Sequence, residues 1–134
     1  MQTPSEKDRS MSTNTLTITG NVTADPELRH THGGRAVANF TVADTPRYRE
    51  AGSNEWKDGE TLYQRVAVWD GLAENVARSI TKGARVVVTG TVQAKSFTGN
   101  DGEKRTYTEL VADEVGASLR FATAVITRAG QSNR

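Results

Sequence analysis

A chain of 134 residues with 35% hydrophobic and 25% charged residues has the size of one domain around one core, which leaves no room for a multidomain enzyme. Its longest apolar runs are three or four residues, far short of the ~18 that a membrane-spanning helix needs, and no apolar stretch follows the opening MQTPSEKDRSMSTNT, so neither a span nor a secretory signal is expected and a cytoplasmic location is. Zero cysteines remove disulfides, thiolate metal sites and cysteine nucleophiles, while 17 basic against 16 acidic residues, a formal +1, select no partner by bulk charge.

Residues 1 to 12 are polar, carry Pro4 and show no period, which predicts a disordered lead-in, with Met11 a second possible start. From there the apolar pattern has period two, the signature of strands. Leu16, Ile18 and Val22 form the first such row. Ala36, Ala38, Phe40 and Val42 form the second, against Val37, Asn39 and Thr41. In the third, Leu62, Gln64, Val66 and Val68 oppose Tyr63, Arg65, Ala67 and Trp69, and the face with Leu62, Val66 and Val68 is assigned to the core. Then comes a helix: Asp70 is the expected N-cap, Glu74 suits the first turn, Leu72, Val76 and Ile80 recur every four residues, and Lys82-Gly83 ends it. The fourth strand sets Val86, Val88, Gly90 and Val92 against Arg85, Val87, Thr89 and Thr91; the fifth spans about 105–112; a weaker sixth carries Leu119, Phe121, Thr123 and Val125 on one side.

Gly33-Gly34, Gly52-Ser53-Asn54 and Gly99 to Gly102 fall between strand candidates, where residues tolerant of positive φ let a chain reverse. Five strands with one short helix between strands 3 and 4 predict an all-β, five-stranded OB-fold Greek-key barrel rather than a seven-stranded sandwich.

Tyr63, Arg65, Ala67 and Trp69 share the surface-leaning side of the third strand by parity, with ~6–7 Å between alternate residues. Two rings flanking an arginine suit stacking of unpaired bases with the guanidinium free for phosphate; they equally suit a protein contact. Aromatics also stand beside cations at Arg47-Tyr48-Arg49, Trp56-Lys57, Lys95-Ser96-Phe97 and Lys104-Arg105-Thr106-Tyr107. Phe97 has opposite parity to Val86, Val88 and Val92, so it leaves the interior unless a bulge resets the phase. Trp56 sits in a Gly/Asn/Asp-rich turn. From the residues alone, nucleic-acid binding and protein contact remain open.

Catalytic signals are poor. His30 and His32 lie in a polar turn without a third ligand nearby, so no metal or other cofactor is expected. Gly33-Gly34-Arg35 is a turn without a following helix, hence no phosphate cradle. No nucleophile-elbow, zinc-helix or phosphate-loop pattern occurs, and no enzyme is read.

The segments NTLTITGNVTADPELRHTHGGRAVANFTVA, TLYQRVAVWDGLAENVARSITKGARVVVTGTV and FTGNDGEKRTYTELVADEVG together resemble the bacterial single-stranded DNA-binding proteins over about residues 13–122. The resemblance rests on G-N-x-x-x-D-P-E-x-R, A-V-A-N-F, R-V-x-V-W and K-G-x-x-V-x-V-x-G in order. It implies an OB fold, a homotetramer built as a dimer of dimers, and non-catalytic, sequence-independent wrapping of single-stranded DNA in replication, recombination or repair at the nucleoid. Carried over by position, the stacking residues fall on Tyr48, Tyr63, Trp69 and Phe97, with Trp56 as a further ring. Phosphate contacts fall on Arg29, Arg65, Lys82, Lys95 and Arg105, with Arg47, Arg49, Lys57 and Lys104 beside the rings. Gln93, Ser96 and Gly71 stand where the family carries basic residues, which shortens the expected outer wrapping path.

The sequence ends in TRAGQSNR, without the acidic tip and terminal Phe by which family members recruit replication and repair enzymes; either the chain is cut short here or it is a short paralogue without that recruiting device. SLRFATAVITR, in the 123–134 extension and just before it, resembles the clamp strand of actinobacterial relatives. The alternatives are a primosome-type OB subunit that mainly binds proteins, and an RNA-binding OB module.

Overall fold

A computed structural model describes residues 14–130; the lead-in expected over 1–12 lies outside them. Eight strands and one helix follow in order: β1 (Thr15–Val22), β2 (Glu27–His30), β3 (Ala36–Asp44), β4 (Arg47–Arg49), β5 (Trp56–Asp58), β6 (Leu62–Trp69), α1 (Asp70–Ser79), β7 (Arg85–Thr98) and β8 (Lys104–Ala117). The five long strands are the five expected from the period-two rows. They run β1-β7-β8-β6-β3, and a further β1–β3 pairing at Asn21 and Val22 closes the barrel. Among the described strands only β6 and β8 pair in parallel. Closure removes the free edges that an open sheet would expose.

Val22, Val42, Val66, Val68, Val86, Val88 and Leu110 fill the interior, with Phe40 beside them. β-branched residues pack well on a pleated surface, so a valine-rich core suits a narrow barrel. Helix α1 sits against β3 and β6 and contributes Ala73 and Val76, with Ile80 at its C-cap joining them in the core. Leu72 only packs against the cluster from its margin.

At Gly90 the β7–β8 register shifts: Thr89 faces Glu114 and Gly90 faces Ala112, leaving Asp113 as the extra residue. The backbones approach so closely there that a Cβ on Gly90 would collide with the Val111 carbonyl. Because the inserted residue lies on β8, the phase of β7 is never reset. Phe97 therefore keeps the outward parity expected of it and is exposed.

Six expectations need correction. His30 ends β2, a short strand the sequence pattern did not predict, rather than lying in the turn. Helix α1 stops at Ser79 with Ile80 as its C-cap, short of Lys82-Gly83. Asp70 is not the N-cap: Trp69 holds that position without a side-chain bond, and Asp70 is the first helical residue at φ 61°. Leu62 is exposed rather than in the core, because it lies at the start of β6 opposite Asp44 at the end of β3; Gln64 is buried instead, its amide donating to Arg65 O at 3.1 Å and more weakly to Thr108. Trp56 opens β5 rather than lying in the turn, in a β4–β5 hairpin that the sequence pattern did not predict. The weak sixth strand does not form: beyond Ala117 the described residues join no ladder of this chain, and Leu119, Phe121, Val125 and Ile126 stand exposed.

Candidate nucleic-acid interface

Residues directly opposite in a ladder share a face, and alternate residues point to opposite faces. Arg65 pairs with Thr41 and with Glu109; Ala67 with Asn39; Trp69 with Val37, which pairs with Arg29. Glu109 and Tyr107 face Gln93 and Lys95, and Arg105 faces Phe97. The outward row of β6 thus continues across five strands as one surface: Arg29 on β2; Asn39 and Thr41 on β3, where Val37 is buried beneath its neighbours; Tyr63, Arg65 and Trp69 on β6; Arg105, Tyr107 and Glu109 on β8; Lys95 and Phe97 on β7. Its middle is a cleft of about 310 Å³ lined by Arg29, Asn39, Thr41, Arg65, Tyr107 and Glu109 among others.

Five side-chain contacts organise this surface. The Arg65 guanidinium lies 4.3 Å from the Tyr107 ring centre, and Tyr107 meets Phe97 at 6.0 Å with the rings tilted by 57°. Arg29 Nη1 donates to Asn39 Oδ1 at 2.9 Å. At the other end Arg35, in the turn before β3, lays its guanidinium 4.5 Å from the centre of the Trp69 ring. Its Nε donates to Asp70 Oδ1 at 3.1 Å and its Nη2 to Oδ2 at 2.9 Å. Those hydrogen bonds hold the Asp70 carboxyl below the usual carboxylate range and raise the guanidinium further.

The hairpin adds a second surface. Tyr48 pairs with Lys57 and Arg49 with Trp56, so Tyr48 and Trp56 occupy opposite faces of the ribbon. Tyr48 shares an open concavity with Tyr63, walled by Asp58, Gly59, Glu60 and Thr61. Trp56 lies away from it, more than half exposed at 58%.

A barrel with rings and cations spread across one convex-to-grooved face is a surface for an extended, flat-based polyanion. The profile of the single-strand binding protein family matches residues 13–118. This chain belongs to that family. It is 56% identical over 119 residues to the single-stranded DNA-binding protein of Paenarthrobacter aurescens, an alignment covering 89% of this chain and 70% of that protein. Over 118 residues it is 57% identical to that of Mycobacterium leprae, covering 88% and 70%. The crystal structure of the small single-stranded DNA-binding protein from Streptomyces coelicolor superposes with a TM-score of 0.68 at 30% identity, covering 78% of this chain and 94% of that one. The Plasmodium falciparum SSB, solved with single-stranded DNA, is similar in fold, with a TM-score of 0.71 at 24% identity and 81% and 97% coverage.

In this single-strand binding domain the cations named from the sequence fall into three groups. Arg29, Arg65, Lys95 and Arg105 lie on the barrel face, Lys95 3.6 Å from Glu109 and Arg105 2.6 Å from Asp101. Arg47, Arg49 and Lys57 lie on the hairpin, held at 3.4 Å by Asp58, 2.9 Å by Asn54 and 3.4 Å by Glu50. Lys104 opens β8, and Lys82 stands off the sheet in the turn after α1, its backbone N–H donating to Asp25. Surface pairs of this kind are worth about 0–1 kcal/mol and exchange readily for another anion.

Sequence reading missed Arg35, Tyr107, Asn39, Thr41 and Glu109 as parts of one surface. Tyr107 was findable, since it shares the parity of Arg105. Arg35 was not, because its partner is 35 residues away and no local pattern joins a turn arginine to a helix-start aspartate.

Proposed function

We propose that this chain binds single-stranded DNA without sequence preference and without catalysing a reaction, stacking bases on Tyr48, Tyr63, Trp69 and Phe97 while cations of the same face take phosphates. The observation that carries this reading is the alignment of Tyr63, Arg65 and Trp69 on one outward strand face, continued across the ladder to Tyr107, Lys95 and Phe97. Every base has a π-face, so rings without a dense hydrogen-bonding edge accept any sequence. The hairpin extends the path through the concavity between Tyr48 and Tyr63.

The same reading makes the functional unit a homotetramer, a dimer of dimers, acting at the nucleoid in the cytoplasm during replication, recombination or repair. The exposed, unladdered Leu119, Phe121, Val125 and Ile126 support a C-terminal segment that pairs with a neighbouring copy as a clamp strand. No described helix is long and apolar enough to cross a membrane. Competition settles ligand class: unlabelled dT, dA and dC oligomers should displace labelled oligo-dT within about tenfold of one another, and oligo-RNA of the same length should compete poorly. Displacement by RNA as effective as by DNA would contradict it.

A further inference from the structure

Trp69 is not a bare ring. The Arg35 guanidinium covers one of its faces at 4.5 Å, and the fork of two hydrogen bonds to Asp70 fixes that guanidinium in place. An arginine fork matches a carboxylate in a way a lysine ammonium cannot. Arg35 is nonetheless 57% exposed, so its plane remains open to an incoming flat group. Guanidinium planes stack nucleobases much as aromatic rings do.

The backbone points the same way. Asp70 adopts φ 61°, a left-handed conformation that side chains other than Gly, Asn and Asp seldom take. Gly would sit there with less strain but would leave Arg35 without its anion. The carboxylate's partner at this position is Arg35, which donates to both of its oxygens.

Resting on the single-stranded DNA reading above, we propose that Arg35 is a stacking element of the binding face, which Asp70 locks over Trp69 so that it meets a base with its plane instead of pairing with a phosphate. The charge of Arg35 is answered within the chain, so the pair adds to affinity while leaving the salt dependence of binding alone. Arg65, also seated on a ring, has no carboxylate within ion-pair distance among the described residues and keeps its charge for DNA.

The test uses two alterations of the full chain that conserve net charge: Arg35→Lys, and Arg35→Gln combined with Asp70→Asn. Each is titrated with oligo-dT between ~50 and ~200 mM salt, alongside tryptophan emission of the free protein. Both should weaken oligo-dT binding about 3- to 10-fold, the range of a lost cation–π or stacking contact, with the slope of log affinity against log salt unchanged. Emission should shift as one indole face is uncovered. The assignment is overturned if Arg35→Lys binds like the unaltered chain, since a point charge would then suffice, or if either alteration changes the slope by the ~0.7 expected of one phosphate contact. Failure of the unaltered chain to bind oligo-dT would instead overturn the single-stranded DNA reading, and this assignment with it.

Discussion

Arg65 on β6 lies 4.3 Å above the ring of Tyr107 on β8, and the parallel β6–β8 ladder is what brings them together, since it sets Arg65 beside Glu109, two residues from Tyr107. The contact keeps a cation in the cleft at the middle of the outward face. Arg65→Ala should therefore flatten the salt slope of oligo-dT binding by about 0.7. Titrations at several salt concentrations give that slope directly; an unchanged slope would take Arg65 out of the phosphate set.

The hairpin separates two aromatics that adjacent cations had made look equivalent. Tyr48 faces the concavity it shares with Tyr63, whereas Trp56 is on the ribbon's other side. Tyr48→Ala should cost about 1–3 kcal/mol of oligo-dT binding, and Trp56→Ala distinctly less. Equal losses at the two positions would mean that DNA wraps around both faces of the hairpin.

Stability is centred elsewhere, in the barrel interior. Leu110 is fully buried, so Leu110→Ala should cost about 2–5 kcal/mol. Gly90→Ala should also destabilise, because its Cβ would meet the Val111 carbonyl, a backbone group that cannot turn aside. Urea unfolding with a lowered midpoint and an unchanged slope is the expected result for both.

The Asp70 carboxyl titrates below its ordinary range because Arg35 hydrogen-bonds its charged form. A carboxylate with a depressed folded-state pKa contributes stability that is present above its unfolded-state value, near ~3.9, and is lost as the pH falls through the folded value. Tryptophan emission should hence stay constant from neutrality down to about pH 4 and change only below it. Since both groups are solvent-exposed, the accompanying change in overall stability should be small. The low-pH emission step should vanish with Asp70→Asn.

How much of this was legible beforehand follows from the range of each signal. Strand parity is local and strict, so β1, β3, β6, β7 and the first part of β8, with the outward row Tyr63, Arg65 and Trp69, could be read directly. Phe97 was placed correctly because the bulge residue, Asp113, lies on the opposite strand. Leu62 was misjudged because parity assigns a face but does not say where along a strand the barrel ends; Gln64, of the same parity, is buried as its row requires. The β4–β5 hairpin went unseen since three-residue strands of charged and aromatic residues carry no apolar alternation. Asp70 has the composition of an N-cap, and only the fold could bring Arg35 close enough to claim its carboxylate. The cleft shared by Arg29, Asn39, Tyr107 and Glu109 depends on ladder register between distant strands, which no single strand encodes.

The most direct test of the account is a titration of oligo-dT into the full chain, followed by intrinsic tryptophan fluorescence at low and moderate salt, for the unaltered protein and for Tyr63→Ala and Trp69→Ala. The account expects saturable quenching, with affinity falling roughly a hundredfold between ~50 and ~200 mM salt if about five phosphates are engaged. It expects each substitution to lower affinity by about 1–3 kcal/mol for every homopolymer alike. No association of oligo-dT even in dilute salt, or full affinity after removal of both rings, would contradict it.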